Sequence, residues 1–162
     1  MLGRLVGTVR RNHGLEHATI TVMLPKLGRT PRLVGRATGN GFFIYGAVPR
    51  ELIEEASHEA LRRLKSGEGH LAVSPMCGTN IAVAGILAGL SSMLALGGRK
   101  NRWQNAPNVF LASMLALILA QPLGRWVQQY LTTSPDLSDT EIVRTWSLGR
   151  YIHKVETRRH PA

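Results

Sequence analysis

Two imidazoles and a carboxylate fall within five residues near the start of the chain, in His13-Gly14-Leu15-Glu16-His17. On a helix, residues four apart project from the same side, so His13 and His17 would offer two ring nitrogens to one metal ion. Glu16 stands beside them, placed to take a proton from a metal-bound water. The order H-x-x-E-H is that of the inverted zinc-protease signature. Cys77, the single cysteine, is a second group suited to a metal. Its thiolate would join the two imidazoles on a soft or borderline ion. The competing reading of Cys77 is a small residue packed in a tight turn.

The elements that must position these groups can be read from local signals. Asn12 is suited to cap a helix that begins near His13 and ends at Pro25, with residues 2–10 a short strand or frayed start. Ile20 then lies on the side of His13 and His17 and helps keep that side dry. Gly39-Asn40-Gly41 is a turn signal between two short strands. Pro49 opens a helix over residues 50–65, with Leu52, Ala56, Ala60, Leu61 and Leu64 as its apolar stripe. Glu51, Glu54, Glu55, His58 and Arg62 form its wet face. Residues 70–74 read as a strand with His70, Ala72 and Ser74 on one side. Pro75-Met76-Cys77-Gly78-Thr79-Asn80 follows, with Thr79 or Asn80 as the cap of an apolar helix. Cys77 is thereby placed near helix-terminal amides, which favour a thiolate.

The apolar helix covers residues 81–98 without a charge, and a second apolar run covers 109–120 and continues to Gly124. Both approach the length that spans a bilayer. Arg99, Lys100, Arg102, Trp103 and Pro107 between them predict an interfacial turn, and Arg125 and Trp126 a second interface. Ala84, Gly85, Ala88, Gly89 and Ala95 allow close helix packing. The alternative is a buried hairpin of a soluble protein or a shallow insertion. Lys and Arg total 20 against 10 Asp and Glu, a net charge of +10. With basic residues on both flanks of the apolar region, that excess suits an anionic membrane surface. Neither zinc-finger spacing nor an aromatic-basic RNA-binding motif is present, which argues against a nucleic-acid partner. One cysteine excludes an internal disulfide. Leu5-Val6-Gly7 is too short an apolar run for a cleaved signal peptide. Beyond Leu131, Thr132-Thr133-Ser134 breaks the helix, and Ser138 or Asp139 caps a last helix carrying Ile142, Val143 and Trp146.

The chain resembles a group of bacterial membrane proteins regarded as metal-dependent enzymes. Their recurring blocks are HGxEH, then HPxCGT before a membrane helix, then a PGxxLQxxTTxxPxxxxxEVA-like tail. Here the blocks read His13-Gly14-Leu15-Glu16-His17, Ser74-Pro75-Met76-Cys77-Gly78-Thr79, and Pro122-Leu123-Gly124 with Thr132-Thr133-Ser134-Pro135 and Glu141-Ile142-Val143. The resemblance implies a membrane protein, a metal site, and Glu141 as a remote ligand. It also exposes a departure, because Ser74 stands where the group has histidine. His70, on the same expected strand face, is a substitute.

The expectation is an α+β membrane protein, with a small N-terminal α/β region (1–79), a transmembrane helical hairpin (80–126) and a C-terminal basic helical tail (127–162). The expected activity is that of a membrane-embedded, zinc-type hydrolase acting on a peptide or lipid-linked carbonyl. His13, His17, Cys77 and Glu141 are the candidate ligands of a divalent metal, zinc first, and Glu16 is the catalytic base. The lipid bilayer is the expected partner and the bacterial cytoplasmic membrane the expected location. A homo-oligomer or a membrane complex is left open. The alternative is a non-catalytic scaffold or metal sensor with a structural metal site.

Overall fold

The helix that carries His13 and His17 starts earlier than the capping signal suggests. In the computed structural model, which describes residues 2–28, 32–97 and 103–160, α1 runs Leu2–Met23. Asn12 lies inside it and is 1% exposed. Its amide donates to the Thr38 carbonyl at 2.7 Å and accepts from the Thr157 hydroxyl at 2.7 Å. A side chain that meets two other segments in this way is a tertiary anchor, so it was not available as a cap. A short 3-10 turn, Leu24–Leu27, follows α1.

The described residues belong to two compact units, residues 1–74 with 129–162 and residues 75–128. In the first, strands β1 (Val34–Thr38) and β2 (Gly41–Tyr45) form the hairpin expected from Gly39-Asn40-Gly41. Helix α2 (Arg50–Lys65) follows Pro49 and buries Ile53, Ala56, Ser57, Ala60, Leu61 and Leu64. The apolar side chains among these join Leu15, Ala18, Val22 and Met23 of α1 and Phe42 and Ile44 of β2 in one core. A fully buried side chain of this size contributes about 1.5–3 kcal/mol. Residues Gly69–Ala72 form a 3-10 turn where a strand was expected.

The C-terminal segment requires a larger correction. The expected helical tail is two strands, β3 (Thr140–Ser147) and β4 (Ile152–Arg159), in a sheet of order β1-β2-β4-β3. All its pairs are antiparallel. The fold is therefore a single sheet built from both ends of the chain, with the apolar helices inserted between them. It is not an N-terminal region followed by a hairpin and a helical tail. The physical reason lies in strand propensity and in pairing across the chain. Thr140, Ile142, Val143 and Thr145 are β-branched and suit a pleated surface. In β4, His153 and Val155 are buried, and Val155 pairs with Phe42. A cap signal at Ser138 or Asp139 is local and cannot weigh that pairing. Lys154, within the expected helical tail, bonds Thr38 Oγ1 at 2.8 Å and Asn40 Oδ1 at 2.9 Å. Burial pushes its pKa down.

In the second unit, α3 (Gly78–Leu96) and α4 (Ala106–Val127) are the two apolar helices. Both are long and apolar enough to cross a membrane. Pro107 falls in the first turn of α4, where its missing N–H costs nothing. The pair is tied by Ser92 and Ser113, whose hydroxyls lie 2.8 Å apart. Nearer the other end, the Gln128 amide donates to Asn80 Oδ1 at 2.7 Å. Arg99, Lys100 and Arg102 of the expected interfacial turn lie outside the described residues. After α4, a single π-helical turn, Gln128–Thr132, closes the helical run.

Candidate metal centre

His13 and His17 project from α1 with ring centroids 4.3 Å apart. Each is anchored through Nδ1 to a backbone carbonyl. His13 Nδ1 lies 3.0 Å from the Thr132 oxygen and His17 Nδ1 lies 2.9 Å from the Ala72 oxygen. A carbonyl only accepts, so each Nδ1 carries the proton and donates it. In a neutral imidazole this leaves the lone pair on Nε2. Histidines that ligate metals are held in just this manner, with one nitrogen bonded to a carbonyl and the other presented to the ion.

The two carbonyls are brought in by close approach. Gly14 sits where a Cβ would stand 2.5 Å from the Ser134 carbonyl oxygen and 3.1 Å from Ala72 Cβ. Any side chain there would push away both segments that anchor the histidines. Arg10 supports the same arrangement. Its guanidinium donates to the Thr133 carbonyl at 3.0 Å and the Tyr130 carbonyl at 2.9 Å. The Ser134 amide donates back to the Arg10 carbonyl at 3.0 Å.

Glu16 is 5% exposed, and its Oε2 lies 3.9 Å from His13 Nε2. Gly35 of β1 gives it room. A Cβ on Gly35 would lie 1.8 Å from Glu16 Oε1. Cys77 is buried at the N-cap of α3, and its Sγ accepts from the Thr79 amide at 3.4 Å. The ligand atoms that His13, His17 and Cys77 offer all lie within 4.8 Å of one another. Two nitrogens and one sulfur form a donor set that a divalent metal can use.

The remaining candidates are placed elsewhere. Glu141 lies on β3, with Oε2 2.7 Å from His160 Nε2 and Oε1 3.9 Å from Arg158. The hydrogen bond from His160 holds its carboxyl below the usual range. The group of three does not include it. His70 is exposed in the turn before Cys77, and His58 is exposed on α2. The sequence offered no sign of Gly35, nor of the Ala72 carbonyl. The Thr132-Thr133-Ser134 block was visible as a helix breaker, but its carbonyls, rather than its hydroxyls, meet Arg10 and His13.

These features define an α+β protein with an apolar helical pair and a His-His-Cys group suited to a divalent metal. The chain belongs to the DUF6391 family, a domain of unknown function, which matches residues 8–145. That match includes the pentapeptide, Cys77 and Glu141. The chain is 35% identical over 139 residues to an uncharacterised protein of Picosynechococcus sp. (strain ATCC 27264 / PCC 7002 / PR-6). The alignment covers 80% of this chain and 68% of that protein. No solved structure matches the chain.

Proposed function

We propose that this is an integral membrane protein holding one divalent metal in a structural or sensing site made by His13, His17 and Cys77. The observation that carries the reading is the approach of these three ligand atoms to within 4.8 Å. The carbonyl anchors on both histidines support it, because they set the tautomer that a metal requires. Zinc is the first choice of ion, since a mixed nitrogen and thiolate set at a redox-inert site is its usual company. Two helices of sufficient length and apolar character support insertion in a bilayer. The bacterial source of the relative supports a bacterial membrane, and the cytoplasmic membrane is the location we assign.

The hydrolase reading is kept as a second proposal on one observation, the buried Glu16 carboxylate 3.9 Å from His13 Nε2. As a fourth ligand, Glu16 closes the tetrahedron and the site is structural. As a base for a water in the fourth position, it makes the site hydrolytic. Metal analysis of the detergent-purified full chain separates these outcomes. Wild type should hold about one zinc per chain, as expected for a single site, and His17→Ala should hold none. Glu16→Gln that loses the metal favours Glu16 as fourth ligand of a structural or sensing site. Glu16→Gln that keeps the metal and loses the phenotype favours the hydrolase. A wild-type chain without stoichiometric metal contradicts both.

A further inference from the structure

We propose that a second, metal-independent site binds a phosphoryl group in the cavity between the middle of α1 and the end of β4. The cavity has a volume of about 300 Å³ and lies wholly within the sheet-bearing unit. Arg11, Arg158 and Arg159 are among the residues that line it, with Thr8, Thr140 and Thr157. No carboxylate belongs to the lining among the described residues. Its volume is roughly that of ten waters, enough for a phosphoryl group and part of the ester arm behind it.

The arginines keep donors in reserve. Arg11 directs Nε to the Asp136 carbonyl at 3.0 Å, with Asp136 and Asp139 carboxylates 3.9 and 3.8 Å from its guanidinium. Arg159 directs Nε to Asp139. Arg158 meets Glu141 at 3.9 Å, beyond hydrogen-bond range. A guanidinium has five N–H donors, so these contacts leave terminal N–H groups for an oxyanion. The carboxylates also moderate the repulsion among three like charges, which lets the cluster persist without a ligand. Asn12 sets the floor rigidly. It is nine-tenths buried or more, and it ties Thr157 to α1 through the bond from the Thr157 hydroxyl. Guanidinium groups suit the acceptor oxygens of a phosphoryl group. That chemistry is shared by free phosphate and by the headgroup of an anionic phospholipid.

Calorimetry on the full chain in a maltoside detergent, without phosphate in the buffer, tests the site. The two probes are inorganic phosphate and mixed micelles containing phosphatidylglycerol. Arg158→Gln combined with Arg159→Gln should weaken binding about tenfold or more, the loss expected for charge-assisted bonds. Arg150→Gln, at the tip of the β3–β4 hairpin, removes the same charge outside the cavity and should leave affinity unchanged. Binding of phosphate with this arginine dependence supports a site for a free phosphoryl ligand. Binding of phosphatidylglycerol micelles alone, with the same dependence, supports a headgroup site. Absence of binding by both probes overturns the proposal, as does an affinity indifferent to the two arginines. If the double variant fails to fold, Arg159→Gln alone decides, since that side chain is 41% exposed. An unchanged affinity in that variant also overturns the proposal.

Discussion

Asn12, in the middle of α1, is buried with both ends of its amide bonded, whereas Ile86, in the middle of α3, is 61% exposed. The same contrast runs through the two units. In the sheet-bearing unit, side chains such as Phe42, Ile44 and Val155 turn inward, and the buried Asn12, His17 and Lys154 find partners across long stretches of sequence. In the helical pair, Leu94, Phe110, Ile118 and Leu119 face outward, and the polar contacts Ser92–Ser113 and Asn80–Gln128 are kept inside. The first pattern suits water as solvent, and the second suits hydrocarbon. The difference teaches where chemistry can be built. Precise placement of His13, Glu16 and His17 comes from a packed core and backbone carbonyls, which the helical pair does not supply.

Substitutions of equal kind in the two units should therefore have unequal effects. Phe42→Ala removes a fully buried ring and should cost about 3–5 kcal/mol. Phe110→Ala, at a ring 68% exposed, should cost under about 1 kcal/mol in detergent. Denaturant unfolding followed by tryptophan fluorescence would compare them, and equal costs would erase the distinction. A charge tests the contrast from the other side. Ile86→Asp should cost about 2.5–3.5 kcal/mol in a membrane-insertion assay. Unchanged insertion would count against a membrane-crossing α3.

Glycines sharpen the comparison further. Gly35→Ala drives a methyl into the Glu16 carboxylate and should cost about 1–3 kcal/mol, with loss of metal affinity. Gly89→Ala in α3 meets nothing within 4 Å and should be neutral or gain up to about 1 kcal/mol. Thermal unfolding and metal titration of both variants provide the check. The smallest effect is one of pH. The Arg159 hydrogen bond holds the Asp139 carboxyl below its ordinary value, with Arg11 adding to the effect. A depressed carboxylate pKa adds stability that is present above about pH 4 and lost as pH falls through the folded-state value. Asp139→Asn should flatten this acid limb in a series of melting curves between neutral and acid pH, without altering the neutral-pH metal content.

Parts of this architecture were legible because their causes are local. The Gly39-Asn40-Gly41 turn, the amphipathic stripe of α2, and the two apolar runs each announce themselves within a few residues. The helical spacing of His13 and His17 does the same. Strands β3 and β4 were hidden because β4 is held by pairing with β2, more than a hundred residues away, and β3 is held only by β4. Local cap signals at Ser138 and Asp139 then suggested a helix. Gly35 carried no signature, since its small size answers to Glu16 on another element. The Ala72 and Thr132 anchors are backbone atoms, and no side-chain pattern encodes them. The 69–72 turn appeared as a strand because period-two alternation in four or five residues is easily satisfied by chance.

The metal site is tested most directly by the absorption spectrum of the cobalt-substituted full chain, with X-ray absorption of its zinc form beside it. The account predicts a thiolate-to-cobalt charge-transfer band that disappears in Cys77→Ser. It also predicts one sulfur neighbour at about 2.3 Å and nitrogen neighbours at about 2.0–2.1 Å around zinc. A first shell of oxygen alone, or a spectrum unchanged by Cys77→Ser, would contradict it.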